Sequence, residues 1–195
     1  MNRRRYFLSG IAVALFLGLT VSAPSLRAAS EEEIKQKRAD IRKMANETLS
    51  RLYKLRPSAK EAVAKSAGYA VFSNFGMKIF FAGGGSGGGI AVNNKTKKET
   101  FMKMVEVQAG LGLGVKKFRL VWVFENVGDL NRFVDSGWEL GGQATAAAQA
   151  GGQGGAFAGA ISVSPGVWLY QLTDEGLALE LTVKGTKYYK AGALN

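Results

Sequence analysis

Residues 67–92 constrain this chain most. Ala67-Gly68-Tyr69-Ala70-Val71-Phe72 is an apolar run opened by glycine, Lys78-Ile79-Phe80-Phe81-Ala82 is a second, and Gly83-Gly84-Gly85-Ser86-Gly87-Gly88-Gly89 leads into Ile90-Ala91-Val92. Short apolar runs punctuated by glycine read as strands, with glycine where backbones approach closely or bend. The same glycines match a dinucleotide fingerprint at Gly83, Gly85 and Gly88, but a strand follows where a helix must start, and no Gly-Lys-Ser/Thr makes a phosphate loop. A tight hairpin or bend between strands is the expectation.

Period-two alternation continues downstream. Val105, Val107, Ala109, Leu111, Leu113 and Val115 alternate with Glu106, Gln108 and glycines, and Leu177, Leu179, Leu181 and Val183 alternate with Ala178, Glu180, Thr182 and Lys184. Both patterns predict half-buried antiparallel strands. Leu120-Val121-Trp122-Val123-Phe124 is apolar on both faces and predicts a central strand. Turn chemistry sits at Asn93-Asn94-Lys95 and Asp174-Glu175-Gly176. A short helix is expected over 128–136, with Leu130, Phe133 and Val134 inward and Gly137 as its stop. Gly141 to Ala160 reads as a strand over 138–146, a loop through Gly155 and a strand over 157–163; three glutamines argue against a small-residue membrane helix there.

Ahead of the strands, 30–67 reads as two helices. Ser30 with Glu33 forms a capping box for the first, with Ile34, Ile41, Ala45, Leu49 and Leu52 near one face, and Pro57 ends it. Ser58 with Glu61 repeats the cap for the second, which Gly68 stops. The fold class expected is α+β: N-terminal helices packed on a curved, mainly antiparallel glycine-rich sheet, open or barrel-like.

Residues 1–29 read as an export leader. Arg3-Arg4-Arg5 precedes an apolar stretch from Leu8 to Ala23, and Leu26-Arg27-Ala28-Ala29 offers small residues for cleavage. Two routes fit, a general secretory signal and a twin-arginine signal carried by Arg4-Arg5-Tyr6-Phe7-Leu8. The expected location is the periplasm or the periplasmic face of a bacterial membrane. A single domain over 30–195 then remains, helical over 30–67 and mainly β over 68–190. The formal charge of +11 falls to +7 without the four leader arginines. A basic exported domain points to an anionic membrane surface as partner, with no nucleic acid expected.

Histidine and cysteine are absent. That removes the usual nucleophile–base pairs and common zinc ligand sets. Glu106 and Glu139 lie on predicted strands beside glycine, and Asp174-Glu175 lies in a turn, where solvent-facing roles are the simpler reading. The expectation is therefore no catalytic residue, no metal and no cofactor. The candidate lipid contacts are two basic clusters, Lys95, Lys97 and Lys98 at one turn and Lys116, Lys117 and Arg119 at another. A single strand from Thr100 to Val115 would span about 50 Å at roughly 3.3 Å per residue. A bend is therefore expected near Lys103-Met104, with the clusters at different ends of the sheet. Durable attachment would also need apolar insertion from the first helix or exposed aromatics.

The order of these segments resembles the SYLF domain family. Ala67-Gly68-Tyr69-Ala70-Val71-Phe72 is similar to its opening strand and Gly84-Gly85-Ser86-Gly87-Gly88-Gly89 to its glycine-rich hairpin. Gln108-Ala109-Gly110-Leu111-Gly112 and Trp138-Glu139-Leu140-Gly141-Gly142-Gln143-Ala144 resemble later strands. Gly176-Leu177-Ala178-Leu179-Glu180-Leu181 with Gly185-Thr186-Lys187-Tyr188-Tyr189 is similar to the C-terminal signature. The chain departs from the pattern at Lys98-Glu99-Thr100-Phe101-Met102 and at Gly151-Gly152. The resemblance implies a non-enzymatic lipid-binding domain, here carried over only as generic anionic lipid binding. Two other readings stay open: an envelope structural or protein-interaction module, and a carrier of a small apolar ligand in a glycine-lined cavity.

Overall fold

The computed structural model describes residues 24–74, 86–106, 118–140, 155–178 and 186–195. Residues 1–23 of the expected leader, the run Lys78–Ala82, Gly83–Gly85, Lys116, Lys117 and residues 141–154 lie outside the described residues, as do 107–115 and 179–185.

Helix α1 spans Pro24–Leu55 and α2 Ser58–Lys65. The strands are β1 Gly68–Ser73, β2 Ser86–Asn93, β3 Glu99–Glu106 and β4 Arg119–Phe124. After α3 (Val127–Asp135) come β5 Trp138–Leu140, β6 Ile161–Ser164, β7 Val167–Thr173, β8 Gly176–Ala178 and β9 Thr186–Lys190; a 3₁₀ turn, η1, covers Gly192–Leu194. Among the described residues every strand pairing is antiparallel. The order is β5-β9-β3-β2-β1-β4-β7-β6, with β8 also on β7. The expected α+β class with helices leading a curled antiparallel sheet is what forms.

Alternation along each strand splits the core in two. Ala70, Phe72, Leu120, Trp122, Phe124, Val167 and Leu169 join α3 through Leu130 and Phe133. Val71, Val121, Val123, Tyr170 and Leu172 face the other way, toward α1 and α2. As expected, β4 is buried on both faces, between β1 and β7. The curl has a cause in the first cluster. Strands β9 and β4 are four places apart, about 19 Å in a flat sheet. Yet the Tyr188 and Trp122 rings meet at 5.2 Å between centroids, with Phe133 5.4 Å from Tyr188 and 5.3 Å from Trp122. The sheet must wrap around these rings to bring them together.

Glycine makes that wrap possible. Gly89 pairs with Phe72, and the Phe72 ring lies where a Gly89 Cβ would project; Gly87 pairs with Met104, whose Cε would be 2.6 Å from a Gly87 Cβ. So Gly87–Gly89 belong to β2 rather than to a tight hairpin, and Phe72 and Met104 fill the space over Gly89 and Gly87. Glycine here is a floor for large cross-strand neighbours.

Other expectations need correction. Helix α1 starts at Pro24, a favoured first helical residue, and runs straight through Ser30; Glu33 bonds Lys37 at 2.6 Å instead of capping. Ser58 is the first residue of α2 and does not cap it. Pro57 stands before it in helical geometry (φ −56°, ψ −34°), which denies the extended N-cap conformation, and Glu61 pairs with Lys65. Strand β3 shows no bend at Lys103-Met104, because β2 and β9 hold it in unbroken register from both sides. Residues 157–160 form a turn and not a strand: Ala160 donates to the Phe157 carbonyl at 2.9 Å, and Gly159 adopts φ +82°. The Phe157 ring stacks on Trp168 at 4.5 Å.

Candidate functional site: a basic turn locked to helix α2

Strands β2 and β3 are joined by a turn carrying Lys95, Lys97 and Lys98, all exposed. Its backbone is pinned from inside. The Asn93 side-chain carbonyl accepts from the Lys95 and Thr96 amides at 3.0 and 2.9 Å, and Lys97 N–H donates to Asn93 O at 2.8 Å. It is also pinned from outside. Asn94 Nδ2 donates to Val63 O at 2.7 Å and Ser66 O at 2.9 Å, capping carbonyls at the end of α2, while Asn94 N–H donates to Ala67 O at 3.0 Å. Three ammonium groups are thus mounted on a rigid base beside a helix C-terminus, where the dipole favours cations.

Lys97 pays for its place. It is the non-glycine residue with positive φ among the described residues, at φ +58°. A side chain there costs about 1–2 kcal/mol relative to glycine's indifference. Lys97→Gly is therefore expected to raise stability by about 1 kcal/mol while deleting a charge. A denaturant midpoint that fell instead would show that the lysine side chain itself holds the turn.

Acid groups border the lysines. Glu99 is bound by Arg42, whose Nε and Nη2 both lie 2.8 Å from Oε2. Asp135 receives Lys190 at 2.6 Å; that bond and charge, with a smaller contribution from Lys98, hold its carboxyl below the usual range. A cleft of about 80 Å³ between the turn and α3 is lined by Lys98, Thr100, Asn131 and Asp135 among others.

Of the second predicted cluster, Lys116 and Lys117 lie outside the described residues. Arg119 opens β4 opposite Ser73, the far end of β1 from the turn. Its side chain is largely buried, donating to Thr48 Oγ1 at 3.3 Å and lying 3.9 Å from Glu47. Arg119 is thus packed largely beneath α1, at the start of a strand.

A basic surface that the sequence reading did not single out runs along α1. One face of the helix there carries Arg42, Lys43, Arg51 and Lys54, with Glu47 the acid among them. The i, i+3 and i+4 spacing of these residues was the available signal. The apolar side of α1 is spent: Ile41, Met44, Ala45, Leu49 and Leu52 are at most 8% exposed. Among its described side chains α1 has no second apolar stripe to insert elsewhere. Large apolar residues that do reach solvent, Leu55, Val127 and Tyr189, belong to separate elements.

Glu106 ends β3, Glu139 is the middle residue of β5, and Asp174 and Glu175 form the expected exposed turn, with Arg51 donating to the Asp174 carbonyl at 3.1 Å. Among the described residues no group of three or more acidic side chains is placed to hold a metal. Nor is any described helix long and apolar enough to cross a membrane.

Two tyrosines carry the clearest titration signature. Burial pushes the Tyr170 phenol up to about 12, against the opposing charge of Arg56; burial, helped by Tyr69, does the same for Tyr53. Both favour the neutral form in the fold, while an unfolded tyrosine ionises near 10. Below pH 10 they contribute no pH dependence. Stability is expected to fall as pH rises from 10 toward 12, since only the unfolded chain then loses these protons. Burial, helped by Glu99, raises Tyr69 as well. Absorbance titration at 295 nm should show late phenols, and Tyr53→Phe with Tyr170→Phe should shrink that alkaline slope.

No family model matches the chain. It is 34% identical over 157 residues to "Beta cell expansion factor A" from Aeromonas veronii. That alignment covers 80% of this chain and 58% of the relative, so the chain spans under two thirds of the relative's length.

Proposed function

We propose that this is an exported SYLF-type protein that binds anionic membrane lipid peripherally and carries out no bond-making chemistry. The observation that carries this reading is the trilysine turn, whose charges stand on a backbone fixed by Asn93 and Asn94. Preorganisation matters because ordering a flexible lysine loop on contact would consume much of what its charges supply. Each lysine near an anionic bilayer contributes about 1 kcal/mol. With the apolar side of α1 committed to the core, attachment is electrostatic, reversible and salt-sensitive. The relative's name describes an effect on beta cells, and a factor acting on another cell must leave its own, which supports export here.

The test is co-sedimentation of the domain from residue 30 with vesicles of phosphatidylcholine alone or mixed with phosphatidylglycerol. Binding to the mixed vesicles at low salt, with little to the neutral ones, is expected. Equal binding to both, or none to either, rejects the proposal.

A further inference from the structure

Residues 191–195 fold back over the start of β3 and reach α1. Ala191 N–H donates to Phe101 O at 2.9 Å, and η1 then reverses the chain. The Asn195 amide next does what a strand residue would do: its Oδ1 accepts from Phe101 N–H at 2.8 Å and its Nδ2 donates to Phe101 O at 2.9 Å. The ladder of β3 is thereby extended by a side chain beyond the end of β9. Leu194 is buried in the cluster that holds Ile41 and Phe101, and its carbonyl accepts from Arg38 Nε at 3.0 Å. The Arg38 and Arg42 guanidinium carbons lie 5.7 and 5.1 Å from the Phe101 ring centroid.

Helix α1 is held unevenly. From Ile41 to Leu52 it places six residues in the core, Thr48 among them. From Ser30 to Asp40 no residue is fully buried, and Ile34 is half-buried. The side-chain bonds described for Gln36 and Lys37 stay within the helix, whereas Arg38 crosses to Leu194.

We propose that residues 191–195 are a releasable strap. Detaching them frees α1 from residue 30 to 40, while its second half stays docked through Met44, Leu49 and Leu52. Each strap bond is weak once exchange with water is counted, so the segment opens locally without global unfolding. Opening uncovers the Phe101 ring and the seat of Leu194 beside two guanidinium groups, an apolar strip with cationic borders that the closed form hides.

Hydrogen–deuterium exchange on the full chain tests this, comparing wild type with Asn195→Ala and with Arg38→Met. Asn195 lies outside α1 and cannot alter helix propensity, which makes it the decisive variant. Amides of residues 30–40 are expected to exchange about tenfold faster in both variants, with 44–52, β1 and β4 unchanged. Unchanged exchange over 30–40 in Asn195→Ala overturns the strap. So does acceleration spread evenly over α1 and the sheet, which would mark Asn195 as a contributor to global stability alone.

Discussion

Replacing Gly89 by alanine is expected to cost about 3 kcal/mol, an overpacking penalty at the top of the usual range. The added methyl would meet the Phe72 ring and the Val71 carbonyl oxygen, and neither has room to yield. Phe72 is fully buried and packs edge-on against Tyr188 at 4.8 Å and Phe133 at 6.0 Å, so moving its ring disturbs the whole aromatic cluster. Val71 O belongs to β1, which β2 and β4 hold from both sides. For a domain of this size the melting temperature should fall by roughly 6–12 °C. Gly192→Ala is the matched control, because a Cβ there meets nothing within 4 Å; a change within about 0.5 kcal/mol is expected. Thermal unfolding by circular dichroism distinguishes the two. Similar melting temperatures for both variants would mean that β2 can shift away from Phe72, and that the glycines are not what sets the curl.

The glycine run shows how far the sequence could be read. Its strand neighbours were legible because alternation and turn residues are local properties: β4 between Arg119 and Phe124, α3 with Leu130 and Phe133 inward, and the Asn93–Lys95 turn all follow from periodicity within a few residues. The job of Gly87 and Gly89 was not legible. It depends on which residues sit opposite, Met104 and Phe72, and that register is a property of pairing across the sheet. The burial of Arg119 was illegible for the same reason. Nothing near it in sequence announces that Thr48 and Glu47, seventy residues earlier, will cover it. The caps failed locally instead: the helix begun at Pro24 meets no stop before Ser30, and Pro57, in helical geometry, takes the position before Ser58. The basic turn was visible as composition, but its rigidity was not, since Asn94 reaches across to α2, thirty residues away.

That rigidity makes charge reversal at the turn the most telling functional experiment. Lys95→Glu, Lys97→Glu and Lys98→Glu combined should abolish binding to phosphatidylglycerol-containing vesicles. Neutralising three lysines removes about 3 kcal/mol, on the order of a hundredfold in partitioning, and reversal adds repulsion of similar size. The fold should tolerate the change, because all three side chains are exposed and the turn is held by Asn93 and Asn94. Lys98 sits beside Asp135, so reversing it alone also places two acids together, and Lys95→Glu with Lys97→Glu is the cleaner pair. Arg119→Gln supplies the contrast. Its side chain lies under α1, so stability should drop while vesicle binding per folded molecule stays as in wild type. If instead the triple reversal bound as well as wild type and Arg42, Lys43 and Lys54 substitutions did not, the basic face of α1 would be the lipid contact and the turn a solvated bystander.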